Sequence, residues 1–261
     1  MKKWLAALSV LFIVAPGLLF IIGCSDSGTQ TPPIDRPVSA AIIDQLSPMY
    51  PNEAFIRDAR SELEDCGFTV DIYSGDQITV NFFRTLTSHN YDLIILRAHS
   101  GLLGVDPQVT NRVWLFTNEE YNSGRYVPEQ LANRLTYGKV TDSGTWVFAL
   151  SAEFINESVT GEFNNTVVVM MGCSGLYRMD LAEAFVDRGA SVYLGWDGSV
   201  VLDYVDRATG VLLDKLCSEE LTITAVVTET NDQVGFDPQH GARLRYHPVS
   251  AYSQTLFDLI E

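Results

Sequence analysis

Read for the spacing of apolar and polar positions, the chain falls into short apolar runs separated by amphipathic stretches. Residues 38–46 (VSAAIIDQL) form a first run with paired isoleucines and predict a strand. Phe55, Ile56, Ala59 and Leu63 then recur at helical spacing, with Asn52 able to cap that helix and Gly67 able to end it. Residues 68–73 alternate as a second strand, and 79–89 place Val80, Phe83 and Leu86 on one face of a short helix. Residues 91–98 (YDLIILRA) are apolar enough for a strand covered on both faces. A similar run follows at 166–171 (TVVVMM), ending in the turn Gly172-Cys173-Ser174-Gly175. Beyond it, 177–189 read as a helix with Leu181, Ala184 and Phe185 inward, 190–196 as a strand, and 201–219 as a long helix. Residues 221–230 fit a strand or a helix equally, and 243–246 read as an edge strand before Pro248.

This strand–helix alternation predicts an α/β fold: a three-layer sandwich with a mostly parallel central sheet and helices on both faces. Residues 102–165 interrupt the rhythm. They show strand character at 112–117, 146–152 and 154–159, a short helix at 126–137, and turns at 121–124 and 142–144. We read them as an insertion carrying a small antiparallel sheet, within one α/β domain spanning 38–261. Sheets of this kind collect functional groups at the carboxyl ends of their strands. Two such ends carry reactive side chains. His99-Ser100-Gly101 follows the third strand, and Gly172-Cys173-Ser174-Gly175 follows the fourth.

The amino terminus stands apart. Met1-Lys2-Lys3 is a basic start, 4–22 are apolar, and Gly23 directly precedes Cys24. Residues 1–23 therefore read as an export signal. The small residue before the cysteine resembles a bacterial lipoprotein signal, which implies cleavage before Cys24, lipidation of that cysteine and a membrane anchor outside the cytoplasm. An uncleaved spanning anchor is the other reading of the same run. Residues 24–37 form a polar, Pro-containing tether. Formal charge is −16; without 1–23, 33 acidic residues face 15 basic ones, a net −18. That excludes a nucleic-acid ligand held by a basic groove. Cys66 and Cys217 sit at two expected helix ends and read as packing cysteines. No CxxC pair or Cys/His cluster has the spacing of a metal site.

Thiol catalysis needs a nucleophile, a proton carrier and oxyanion donors. Cys173 can be the first, His99 the second, and the backbone N–H groups of Cys173 and of Ser100 or Gly101 the third. The segments YDLIILRAHSG, TVVVMMGCSG and GASVYLGWDGSV, in this order, resemble the caspase-like cysteine peptidases, in particular the gingipain and clostripain branch. The resemblance spans about 38–232 and implies a caspase-like sandwich, a His99/Cys173 dyad, a peptide or protein substrate, and no cofactor. It also implies that Trp196 and Asp197 border the pocket for the residue before the scissile bond. An Asp197 carboxylate there would favour Arg or Lys. Two other readings stand beside it. One is a caspase-like binding or adhesion domain without catalysis. The other is a flavodoxin-like ligand-binding domain, which the lack of a Gly-rich phosphate loop after the first strand argues against.

Overall fold

The computed structural model describes residues 36–261 apart from 106, 107 and 142. The expected signal at 1–23, Cys24 and all of the tether but its last two residues lie outside the described residues. Eighteen elements follow in order: β1 (Val38–Asp44), α1 (Glu53–Asp65), β2 (Phe68–Ser74), α2 (Val80–Arg84), β3 (Leu93–Arg97), β4 (Ser100–Val105), β5 (Gln108–Glu120), α3 (Val127–Leu131), β6 (Leu135–Gly138), β7 (Val147–Leu150), α4 (Ala152–Ser158), β8 (Thr166–Met170), α5 (Asp180–Asp187), β9 (Ala190–Trp196), α6 (Leu202–Leu216), α7 (Ile223–Val234), β10 (Leu244–His247) and α8 (Leu256–Ile260).

The main sheet has six strands in the order β10-β9-β8-β3-β1-β2. β2, β1, β3, β8 and β9 run parallel, and β10 closes the edge antiparallel to β9. Every residue of β3 and β8 is buried, as a strand covered on both faces must be. Alternate residues feed two cores. Ala40, Ile42, Leu93, Ile95, Val167 and Val169 pack with buried residues of α1, α6, α7 and α8. Ala41, Ile43, Ile94, Leu96, Val168 and Met170 pack with α2, α4, α5 and the inner face of a second sheet. That sheet, β4-β5-β7-β6, is antiparallel throughout and is carried by the stretch between β3 and β8. The fold is thus the expected α/β sandwich with a small antiparallel insertion.

Several local expectations change. Of residues 154–159, expected as strand, 154–158 belong to helix α4, because Phe154 and Ile155 bury against the core from a helix beside α5. The expected helix at 126–137 is one short helix, α3, after which the chain extends into β6. Residues 221–230 resolve as α7, capped by the Thr222 hydroxyl accepting from Ala225 N–H. The helix expected at 177–189 starts at Asp180, since 174–179 turn instead. Cys66 and Cys217 are joined in a disulfide, which corrects their reading as packing thiols. Each follows the last residue of a helix, and α1 and α6 lie side by side, so the two helix ends meet. Arg36 is already docked, donating to the Asp92 carboxylate at 2.6 Å and to the Ile260 carbonyl.

Candidate functional site

β3 and β8 pair in parallel from Leu93↔Val167 to Leu96↔Met170, a constant offset of 74 positions. Both strands end here, and the two motifs follow directly after them. The two segments do stay together there. Met171 N–H donates to the Leu96 carbonyl at 2.9 Å, and the Ser100 hydroxyl donates to the Cys173 carbonyl at 2.7 Å. A Cβ on Gly172 would lie 2.5 Å from the Ala98 carbonyl oxygen and would collide with the Ser100 hydroxyl. Only glycine permits this approach, so the glycine before the cysteine is what lets the two motifs share one rim.

His99 is where the chain leaves the main sheet and enters the small one. Its N–H donates to the Gln45 side-chain oxygen at 2.8 Å, and its carbonyl accepts from Phe116 N–H at 3.0 Å. The imidazole meets the Phe116 ring edge-on, 4.6 Å between centroids. Burial holds its pKa below the ordinary histidine value, so the neutral ring is the favoured form.

Cys173 is half-buried and is the one free thiol among the described residues. Its sulfur accepts from Val200 N–H at 3.4 Å and lies 3.7 Å from the Val200 carbonyl. Burial raises the thiol pKa, and the charge of Asp237 adds to the rise, while hydrogen bonds from Val200 and Ser199 oppose it. The residue after it, Ser174, sits at φ 61 with its N–H donating to the Gly198 carbonyl at 2.8 Å. A buried non-glycine residue in the left-handed region is held there by its surroundings, and such positions cluster at functional sites.

In the β4–β5 ladder His99 and Gly101 fall opposite Phe116 and Trp114, with Ser100 opposite Leu115 between them. Alternation in an antiparallel pair then directs the Gly101 N–H to β5 and turns the Ser100 N–H away from it. Trp196 is wholly buried at 0% exposure, inside the core shared with Tyr204 and Leu244. Asp197 is held in place: its two oxygens accept from Arg243 N–H at 2.8 Å and from Arg245 Nε at 3.0 Å, pinning β9 to β10. Two residues that sequence reasoning missed hold the rim. Gln45 braces His99. Asp237, buried, accepts from Val201, Gln239 and His240 N–H groups and so ties the 237–242 loop to the segment over the cysteine. Neither belongs to a recognisable motif: Gln45 follows Asp44 at the end of the first strand, and Asp237 lies in the loop between α7 and β10. Among the described residues no group of three or more His, Cys, Asp or Glu side chains is placed to hold a metal ion.

No protein-family model matches the chain, and no curated protein matches it.

Proposed function

We propose that the chain is a caspase-like cysteine endopeptidase, held outside the cytoplasm on a lipid anchor at Cys24, with Cys173 and His99 as its dyad. The meeting of the two motifs at the ends of the paired strands β3 and β8, where the Ser100 hydroxyl donates to the Cys173 carbonyl at 2.7 Å, is the observation that supports it. The Cys66–Cys217 disulfide fits an oxidising, exported setting.

Burial favours the neutral thiol and the neutral imidazole, so the resting dyad is uncharged. On attack, His99 takes the Cys173 proton as the S–C bond to the scissile carbonyl forms. The N–H groups of Cys173 and Ser100 receive the oxyanion. Collapse breaks the C–N bond, and the imidazolium gives its proton to the leaving amine. Water, deprotonated by His99, then cleaves the thioester and restores the thiol. With the Asp197 carboxylate engaged by Arg243 and Arg245, the expected preference for Arg or Lys loses its particular support. The dyad does not depend on it.

A second reading, a binding domain without catalysis, draws on one feature: the Cys173 sulfur rests against the Val200 backbone. Cleavage of a peptide panel by wild type and Cys173→Ala separates the two. We expect cleavage by wild type that the variant loses by about 1,000-fold or more. Equal rates in both, together with a thiol that never reacts with an electrophilic peptide probe in the folded protein, would establish the binding reading instead.

A further inference from the structure

We propose that Gln45, backed by Asn118, is the positioning residue that sets His99 in place on the rim. The proposal rests on the dyad reading above and adds to it a residue outside both motifs.

β1 pairs with β3 as far as Asp44↔Arg97, and the next residue of β1's chain is Gln45. There the backbone ladder stops and a side chain continues it. The Gln45 side-chain oxygen accepts from His99 N–H at 2.8 Å. Its amide nitrogen donates to the Asn118 side-chain oxygen at 2.8 Å and to the Thr117 carbonyl at 3.3 Å. Asn118 in turn donates to the Gly75 carbonyl, just past the end of β2, at 2.9 Å. Two amides thus join the carboxyl ends of β1, β2 and β3 to Thr117 and Asn118 near the end of β5, the strand that supplies the Phe116 contacts to His99.

The chemistry selects an amide. Gln45 is at 0% exposure, so both ends of its side chain need partners inside the protein. One end must accept and the other donate at once. A carboxylate can only accept, and would meet the Thr117 and Asn118 oxygens with like polarity. A methionine of similar length fills the space and does neither. Without the amide, His99 N–H is left buried and unpaired at the residue where the chain changes sheet, and the imidazole is free to leave its place beside Phe116.

The test compares Gln45→Met with wild type in the full chain, by two readouts. In peptide cleavage, kcat falls at least tenfold while KM stays within twofold. In a Cys173→Ala background, the imidazole signals of His99, assigned by His99→Gln, lose the ring-current shift imposed by Phe116. Gln45→Glu restores neither. If Gln45→Met does not fold, Asn118→Ser, which removes the second amide and leaves Gln45 in place, is read the same way. A folded Gln45→Met with unchanged His99 signals and unchanged kcat overturns the proposal. A wild type without peptidase activity whose His99 signals still move in Gln45→Met removes the dyad reading and keeps the positioning role.

Discussion

Gly172 is the residue on which the rim depends for space. Of the three motif glycines, Gly101 has open room around its α-carbon and Gly175 faces only the Met170 and Tyr193 side chains, whereas a side chain on Gly172 would press on the Ala98 carbonyl, a backbone atom that cannot swing aside. Gly172→Ala should cost about 1–3 kcal/mol in urea unfolding, the range for overpacking. It should also slow thiol labelling of Cys173; labelling and stability at wild-type values would show that the strands can separate freely. His99 supplies a pH signature. The unfolded chain takes up a proton near pH 6.5, whereas burial keeps the folded histidine neutral to lower pH. The unfolded state therefore binds more protons in that window, and stability rises with pH through it. The contribution is complete above pH 6.5 and is lost as the protein is acidified below it. His99→Gln should flatten this slope in denaturation curves taken from about pH 7 down to about pH 5, the span in which an ordinary histidine titrates. Parallel slopes in the two proteins would contradict it.

Among the elements, β1, β3 and α6 are fastened by one cation. Arg97, the last residue of β3, is fully buried, with Asp44 of β1 and Asp206 of α6 each 2.8 Å away. It also donates to the Tyr50 carbonyl in the loop after β1. Burial raises the Asp44 carboxyl pKa and Arg97 works against that rise. Arg97→Met leaves two carboxylates buried without their partner and should destabilise by about 3–5 kcal/mol in chemical denaturation, where a loss below about 1 kcal/mol would mean that water reaches them. The sheet these elements form was largely legible, since Ile94, Ile95, Val168 and Val169 lie in short, β-branched apolar runs bounded by turn residues, which suit a doubly covered strand. α4 was not. Phe154 and Ile155 carry strand propensity, and their helix exists through packing that only the assembled core provides. Likewise His99 and Cys173 were visible as strand-end motifs, but Gln45 was not, because its partners lie 54 and 73 positions away along the chain.

At the scale of the molecule, the Cys66–Cys217 bond closes a separation of 151 residues, most of the described chain. Chain entropy assigns a loop of that size about 4–5 kcal/mol. A Cys66→Ser/Cys217→Ser protein should therefore melt well below wild type while Cys173 keeps its labelling rate once folded at low temperature. A change in that rate would couple the disulfide to the rim. The two sheets meet more abruptly. β3 ends at Arg97 and β4 begins at Ser100, so only Ala98 and His99 join them. No slack exists between the sheets on this side. A rocking of the small sheet against the large one has to be taken up in the torsions of those two residues. The histidine, proposed above as the proton carrier, is then also the knuckle between the two sheets.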